Sequence, residues 1–477
     1  MKKPSLSISL IPVVLLIVLL SISIYLFGDN MLTGPSQIVL MFVVGVAAAI
    51  AMLVYKKSWS ELEASMVECI GHTMPANLIL LFVGAVCATW MHSGIIPSMI
   101  YYGLEVISPR WFLFTASIIS SLVSLCIGSS WTTIATVGVG LMGIGQVLGI
   151  SDGWIAGAII SGAYFGDKMS PLSETTNLAS SIAGVDLFAH IKNMLKTTVP
   201  SITITLVIFL VVGLISGTSA DVSMESTEEM QRNLAATFNI SPWLIAVPLL
   251  IFYMIYRGMP ALIVLFIGTV VAGLLIPIAQ PQVLSAICER EDGILLSLEA
   301  PMRAAFGDVS YDTGDAKVND LISTSGMYGM LKTIWLIISS MCFGGVMEAS
   351  GMLSCITNSL LNLLKGRVST VTTTCLSSIF LNATTGDQCL AIILPAKMYG
   401  QAYDQQNLER KLLSRTVEDG GTVTSVLIPW NSCGMTQSTM LGVSTFVYAP
   451  YCIFCWISPL MTIATSVLER KKTANQQ

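Results

Sequence analysis

Two short stretches of this chain crowd oxygen-bearing side chains into otherwise apolar sequence. One is GSSWTT, residues 128–133, and the other is GDKMSPLSETTN, residues 166–177. Hard cations prefer oxygen ligands, and by the logic that holds for Ca²⁺ and Mg²⁺ a Na⁺ site also needs a negative partner. The two stretches therefore predict a cation site whose candidate oxygens belong to Ser129, Ser130, Thr132, Asp167, Ser173, Glu174, Thr175, Thr176 and Asn177.

A similar group of side chains recurs in the second half of the chain. It lies in NATTGDQ, residues 382–388, and in PWNSCGMTQST, residues 429–439. Two interpretations stay open for the neighbouring Glu418 and Asp419, which are either carboxylates within the site or caps of a cytoplasmic helix. The candidates of the second half are Thr384, Thr385, Asp387 and Asn431.

The carboxylates add proton chemistry to this binding site. A carboxylate buried away from water holds a proton more readily than an exposed one, and a neighbouring cation favours the ionised form and expels that proton. Na⁺ and H⁺ then compete for one site, which is the physical basis of antiport. We expect Asp167 and Glu174 to be the coupling pair, with Na⁺ near them, and Asp387 to be the next candidate. Lys168 is expected either to pair with Asp167 or to lie at the membrane interface.

The elements that must hold these residues are membrane helices. Of the 477 residues, 54% are hydrophobic and only 11% are charged, and the mean hydropathy is +0.77. Soluble chains carry about 25% charged residues. Apolar runs near the roughly 20 residues needed to cross a bilayer recur from end to end. The chain is therefore predicted to be an all-α polytopic membrane protein embedded in a lipid bilayer.

Interrupted segments occur at matching places in the two halves, since each half shows a polar-tipped helical hairpin followed by a helix broken at a proline. From Ser129 to Pro171 is 42 residues, and from Thr384 to Pro429 is 45. Broken backbone survives at membrane depth only inside protein or beside water, so paired breaks indicate the binding site of a transporter. A single polar kink is ordinary helix packing, whereas four paired clusters favour two inverted repeats with re-entrant hairpins.

This pattern divides the chain into three parts. Lys and Arg cluster near both ends, so the positive-inside rule predicts that both termini are cytoplasmic and that the acidic loops face outward. The parts are residues 1–216, a first membrane half with a hairpin at about 111–150 and a broken helix at about 153–186; residues 217–326, helices flanked by acidic extracytoplasmic loops; and residues 327–477, a second half with a hairpin at about 369–400 and a broken helix at about 420–446.

Other function classes find little support in the sequence. The net charge is −5 without a basic patch, so no nucleic acid is expected as a partner. We see no Walker motif, nucleophile–base pair or metal cluster, which argues against ATP-driven transport and against an enzyme, and no cofactor is expected. The cysteines lie scattered through apolar segments and are expected to pack. His92, Trp131 and Trp430 are also expected to pack rather than to bind substrate.

The motifs GSSWTTIATVG and GDKMSPLSETTNLA resemble those of the NhaC-type sodium/proton antiporter family, and the resemblance covers most of the chain. It implies a multi-pass transporter of the bacterial inner membrane, with two inverted repeats as in the wider ion-transporter superfamily, and a homodimer as its assembly. Carried over by motif, the resemblance implies the site residues Ser129, Ser130, Thr132, Asp167, Ser170, Ser173, Glu174, Thr175, Thr176 and Asn177.

The leading hypothesis is a secondary active transporter that exchanges Na⁺ for H⁺. Because the family includes malate/lactate antiporters, an exchanger of small organic anions coupled to Na⁺ and H⁺ stays open as an alternative. Helix N-termini can cradle a carboxylate without any arginine. A second alternative is an ion channel, which would pass ions only down their gradient.

Overall fold

The structure, a computed structural model, is helical throughout the residues that it describes. The only strand-like pairing among them is an isolated bridge between Val309 and Thr324. This confirms the prediction of an all-α protein. Parts of the predicted acidic loops lie outside the described residues. The described residues are 4–28, 31, 34–106, 108–216, 224–288, 293–311, 319, 322–359 and 366–474.

The helices run in chain order as follows. The first fifteen are α1 (Leu6–Phe27), α2 (Pro35–Leu53), α3 (Trp59–His92), α4 (Ile95–Val106), α5 (Phe112–Ile127), α6 (Ser130–Thr133), α7 (Val139–Val147), α8 (Asp152–Met169), α9 (Glu174–Ala183), α10 (Leu187–Ser216), α11 (Met224–Thr237), α12 (Ala246–Tyr256), α13 (Ala261–Ala279), α14 (Leu284–Ile287) and α15 (Gly293–Phe306). The others are α16 (Gly326–Ala349), α17 (Met352–Ser359), α18 (Arg367–Thr385), α19 (Gln388–Gln405), α20 (Arg410–Ser425), α21 (Ser432–Leu441), α22 (Thr445–Tyr448) and α23 (Ile453–Ala474).

Many of these helices are apolar enough to cross a bilayer. Within the described residues, seven pass by length and composition, and two bent pairs would raise the number to nine. The seven lie in α1, α2, α3, α5 with the 3₁₀ turn before it, α10, α13 and α16. The protein is therefore a multi-pass membrane protein, as predicted.

Two helices are interrupted near a proline, one in each half of the chain. α8 ends at Met169 and α9 begins at Glu174, and Ser170 between them is extended because a proline follows and disfavours helical backbone. In the second half, α20 ends at Ser425 and α21 begins only at Ser432, with Pro429 in the interval. Each break exposes main-chain groups that helices would otherwise satisfy internally.

Both predicted hairpins consist of two helical arms joined at a polar tip. In the first hairpin the first arm is α5, which ends at Gly128 with φ of +73°. In the second hairpin the first arm is α18, which ends at Gly386 with φ of +69°. Glycine is favoured there because this left-handed conformation strains residues that have a Cβ atom. The second arm is α19 in the second hairpin, whereas α6, a π-helical segment and α7 form it in the first. That these hairpins turn back inside the membrane stays a prediction.

Helix α20 occupies the interior of the second half. Every residue from Leu412 to Ser425 is buried, although the helix carries Arg415, Glu418 and Asp419. Gly420 lets it approach α18, since a Cβ there would stand 2.8 Å from the Cys375 carbonyl oxygen. The fold thus places charged side chains where neither water nor lipid surrounds them.

Candidate functional site

A cavity of about 440 Å³ lies where the two halves of the protein meet. It is lined by both hairpin tips, by both helix breaks and by parts of α3, α13 and α16. Among the described residues, its lining includes the carboxylates of Asp167, Glu174 and Asp387 and the imidazole of His72, and it includes no lysine or arginine. We call it the acidic cavity. Its polar and apolar members include His72, Thr73, Ile79, Ile127, Gly128, Ser129, Trp131, Asp167, Leu172, Ser173, Glu174, Thr175, Met259, Ile337, Asp387, Gln388, Cys389 and Ser432.

Asp167 joins the first break to the first hairpin tip. Its side chain lies in the last turn of α8 and is 6% exposed. One carboxylate oxygen, Oδ2, accepts hydrogen bonds from the main-chain nitrogen of Ser130 at 3.1 Å and from the Ser130 hydroxyl at 2.7 Å. Ser129 caps the short helix α6, since its Oγ accepts from the nitrogen of Thr132. Two predicted residues, Asp167 and Ser130, are therefore in direct contact.

The start of α9 forms the next part of the wall. Ser173, Glu174 and Thr175 all line the acidic cavity, and the Glu174 side chain is exposed. The hydroxyls of Ser173 and Thr175 are 3.1 Å apart, and Thr175 donates to Oε1 of Glu418 at 3.0 Å. The cavity wall is therefore connected through a hydroxyl pair to a carboxylate behind it.

Asp387 brings the second hairpin tip to the same cavity. It caps α19, because its Oδ1 accepts from the nitrogen of Leu390 at 2.8 Å. The second break is fastened to this tip, since the nitrogen of Ser432 donates to the Gly386 carbonyl at 2.8 Å. Trp430 Nε1 also donates to the Ala383 carbonyl at 2.7 Å, in the packing role expected for that tryptophan.

Several predicted site residues do not line the cavity, because main-chain groups or neighbouring hydroxyls occupy their polar atoms. Thr176 donates to the Lys168 carbonyl, and Asn177 donates to the carbonyls of Pro171 and Ser173. Both side chains therefore stabilise the main chain at the break between α8 and α9. The others in this group are Thr132, which bonds Ser129; Ser170, which accepts from Leu172; Thr384 and Thr385, which donate one turn back along α18; and Asn431, which bonds Asn382 and caps α21.

Lys168 contradicts both interpretations that the sequence suggested for it. It is fully buried and not interfacial, and its ammonium pairs with Asp419 rather than with Asp167. Successive side chains point about 100° apart around a helix, so Asp167 faces the first hairpin tip while Lys168 faces α20 and α23. Lys168 Nζ also donates to Ser458 at 3.0 Å, and Asp419 accepts from Ser458, Thr197 and Thr462.

Glu418 and Asp419 are not caps of an exposed helix, since both lie in the middle of α20 and are fully buried. Their surroundings differ. Asp419 accepts hydrogen bonds at both carboxylate oxygens, whereas Oε2 of Glu418 has no hydrogen-bond partner among the described residues. Asp419 therefore belongs to a satisfied ion pair with Lys168, whereas Glu418 forms no salt bridge among the described residues.

The sequence interpretation missed several members of the cavity lining, above all His72, Thr73 and Gln388. The signal for the first two was present, because Pro75 follows them inside α3 and polar residues beside a proline marked the other breaks. His92 fulfils the packing role expected of it. It is buried and its ring nitrogens lie 2.7 Å from the Tyr311 hydroxyl and 2.9 Å from the Thr324 hydroxyl.

No group of three or more His, Cys, Asp or Glu side chains in the described part of the chain lies close enough to hold one metal ion. A water molecule takes roughly 30 Å³, so a cavity of about 440 Å³ has room for a hydrated ion. The three carboxylates face this space from separate elements.

Comparison with known proteins gives consistent matches along the chain. A family model described as "Na+/H+ antiporter family" matches residues 162–469. The Na(+)/H(+) antiporter NhaC of Alkalihalophilus pseudofirmus is 37% identical over 405 residues, which cover 85% of this chain and 84% of the relative. The malate-2H(+)/Na(+)-lactate antiporter of Bacillus subtilis is 34% identical over 401 residues, covering 84% and 82%.

A third relative is the arginine/ornithine antiporter ArcD of Halobacterium salinarum. It is 33% identical over 469 residues, which cover 97% of this chain and 92% of the relative. Among solved structures, MtrF of Neisseria gonorrhoeae is similar over 95% of this chain and 94% of that one, with 14% identity and a TM-score of 0.40. All three of these sequence relatives are named as antiporters.

Proposed function

This chain belongs to the Na⁺/H⁺ antiporter family, and on that premise we propose that it exchanges Na⁺ for H⁺ with the acidic cavity as its cation site. The observation that carries the proposal is the charge of the lining. In the part of the chain that the structure describes, three carboxylates and no lysine or arginine face the cavity. A cation is attracted there, and each carboxylate can take a proton when the cation leaves.

In this proposal Na⁺ binds beside Asp167 and Glu174, with Asp387 facing it across the cavity. Hydroxyl and carbonyl oxygens at the breaks complete its ligands. Asp167 is the most buried of the three carboxylates and is oriented by Ser130, so its geometry is preorganised. The ion and the proton exclude one another because an ionised carboxylate favours Na⁺ and a protonated one does not.

The alternative cargo, a small organic anion, fits the cavity less well. Four helices begin at its wall, namely α6, α9, α19 and α21, and free helix N-termini attract anions. Side chains already cap three of them through Ser129, Asp387 and Asn431, whereas Ser173 does not cap α9. An organic anion would thus meet one uncapped N-terminus and three carboxylates. The relatives give no support to an ion channel.

We also propose that the protein lies in the bacterial inner membrane with both termini cytoplasmic. The relatives named above as Na⁺/H⁺ and malate/lactate antiporters are bacterial proteins. The positive-inside rule supports the orientation of the termini.

The test uses purified protein in liposomes that contain a pH-sensitive dye. We expect Na⁺ alone, added outside, to drive proton release, and Asp167→Asn to reduce the rate at least about 100-fold because the charge is lost while the Ser130 contacts remain possible. Proton movement that begins only when malate or lactate is added would contradict the proposal and favour the organic-anion exchanger.

A further inference from the structure

Gln388 is a polar member of the cavity lining that has no role in the proposed Na⁺ site. It opens α19 at the second hairpin tip, directly after Asp387, and its side chain is half-buried. One end of its side-chain amide contacts two buried neighbours, since it lies 3.3 Å from Ser425 Oγ and 3.0 Å from Cys433 Sγ. The other end has no hydrogen-bond partner among the described residues, and the residue lines the acidic cavity. One end of a neutral amide is therefore available to a ligand in the cavity.

The hydrogen bonds of Ser425 decide which end of the amide suits the interior. A serine hydroxyl has a single hydrogen, and Ser425 Oγ lies 2.6 Å from the Thr422 carbonyl oxygen, which has no hydrogen to give. The serine hydrogen therefore lies between Ser425 and Thr422, and Ser425 can only accept from Gln388. An amide oxygen beside Ser425 would place two oxygens 3.3 Å apart with no hydrogen between them, whereas an amide nitrogen there would donate a hydrogen bond.

A half-turn of the Gln388 amide exchanges its oxygen and its nitrogen and leaves the rest of the side chain in place. In the structure the inward atom is Oε1, and once Ser425 has given its hydrogen to Thr422 the only donor left for it is the weak thiol of Cys433. After the half-turn, the two hydrogens of Nε2 meet two acceptors, Ser425 Oγ and Cys433 Sγ. The amide oxygen is then the end available to the acidic cavity. The inward contacts therefore favour the orientation that presents oxygen to a cation.

We propose that Gln388 is a neutral Na⁺ ligand of the acidic cavity, with its carbonyl oxygen turned to the ion and its nitrogen held by Ser425 and Cys433. The inference rests on the proposed Na⁺/H⁺ exchange. Hard cations prefer oxygen ligands, and an amide supplies one without adding charge. Each carboxylate binds either Na⁺ or a proton, whereas the amide oxygen adds affinity for Na⁺ alone. Gln388 thus shifts the competition at the carboxylates toward Na⁺.

The experiment measures binding of radioactive Na⁺ to the purified full chain in detergent by equilibrium dialysis. Gln388→Met keeps the length of the side chain and removes its oxygen, so we expect the Kd for Na⁺ to rise at least about tenfold. Gln388→Glu keeps an oxygen available to the cavity and should bind Na⁺ more tightly than Gln388→Met at alkaline pH. The matched control is Gln401→Met, at an exposed glutamine of the same helix that does not line the cavity, and it should leave the Kd unchanged.

An unchanged Kd in Gln388→Met would overturn the inference. Equal weakening in Gln388→Met and Gln388→Glu would do the same, because the oxygen would then not be what binds the ion. If Gln388→Met does not fold, Gln388→Asn carries the test: it withdraws the amide oxygen from the cavity by one methylene and should also raise the Kd, and an unchanged Kd contradicts the proposal. An unsubstituted protein that neither binds Na⁺ nor moves protons in response to it would instead overturn the proposed function, and this inference with it.

Discussion

At the scale of single residues, the protein separates charges that pair with each other from charges that face the acidic cavity. Lys168 and Asp419 neutralise each other, and three hydroxyls complete the shell of Asp419. Asp167 and Glu174 instead face the acidic cavity, where, in the proposed function, a cation from solution compensates their charge. The neighbouring residues Asp167 and Lys168 thus have different surroundings: Asp167 faces the acidic cavity, and Lys168 holds α8 against α20.

The buried ion pair yields a prediction about stability. Lys168→Met leaves the Asp419 charge without its partner in the interior, so we expect the free energy of unfolding to fall by about 3–5 kcal/mol. Adding Asp419→Asn removes the stranded charge and should recover most of this loss. The measurement is unfolding in detergent, followed by helical signal.

The control for this prediction is Lys196→Met. Lys196 pairs with Glu469 at the surface and its side chain is 54% exposed. Exposed pairs contribute about 0–1 kcal/mol, so little change is expected. A Lys168→Met variant as stable as this control would show that the pair does not hold the interior together.

At the scale of elements, the close approach of α5 and α8 positions Asp167. A Cβ on Gly162 would stand 2.2 Å from the Ser117 carbonyl oxygen, and one on Gly166 would stand 2.3 Å from that of Ser121. Both glycines are therefore required for packing rather than for turning. Since the tip at Ser130 follows directly from α5, the spacing of these two helices sets the contact between Ser130 and Asp167.

Gly166→Ala tests this dependence. The added methyl group should push α8 from α5, at a cost of about 1–3 kcal/mol, and move Asp167 away from Ser130. We expect the Na⁺ concentration for half-maximal proton release to rise at least about tenfold, because small displacements of site residues are costly. Gly71→Ala is the control, since nothing lies within 4 Å of a Cβ built on that glycine. Equal Na⁺ dependence in both variants would contradict the argument.

At the scale of the whole molecule, the positive-inside rule predicts that the clusters of Lys and Arg share one side of the membrane. Lys and Arg clusters lie between α2 and α3, at the start of α10, at the start of α18 and just before it, at the start of α20, and at the end of α23. If α1, α2, α3, α10, α12, α13, α16 and α23 each cross once, and each broken helix crosses once, then an even number of crossings separates every cluster from the next. The clusters then share the cytoplasmic side.

The same count of membrane crossings supports the prediction that the two hairpins have inverted orientations. The first hairpin follows α3 and so starts from the outer side, whereas the second follows a cytoplasmic cluster and starts from the inner side. If both crossed the bilayer fully, their tips would lie about 30 Å apart on opposite faces. Gly128 and Asp387 at the two tips instead line one cavity, as expected for hairpins that turn back inside the membrane.

The sequence predicted the elements better than the partners of individual side chains. Prolines and polar runs within apolar segments are local signals, so both breaks and both tips were predictable. Lys168 was not, because its partner Asp419 lies 251 residues away and nothing local connects the two. Thr384 and Asn431 have the right chemistry and position, yet local main-chain or amide partners occupy their polar atoms. The type of a residue alone does not distinguish a side chain that binds an ion from one that hydrogen-bonds to the protein around the site.

The orientation of the whole chain is the last prediction. A C-terminal green fluorescent protein fusion should fluoresce, because this reporter folds in the cytoplasm and the basic end of α23 is predicted to stay there. Alkaline phosphatase fused after α10, near residue 216, should be active, since this enzyme needs the oxidising periplasm to form its disulfides. The same enzyme fused between α19 and α20, near residue 407, should be inactive and serves as the control. Activity at residue 407, or a dark C-terminal fusion that is fully expressed, would reverse the orientation and place the two hairpins on the opposite sides from those proposed.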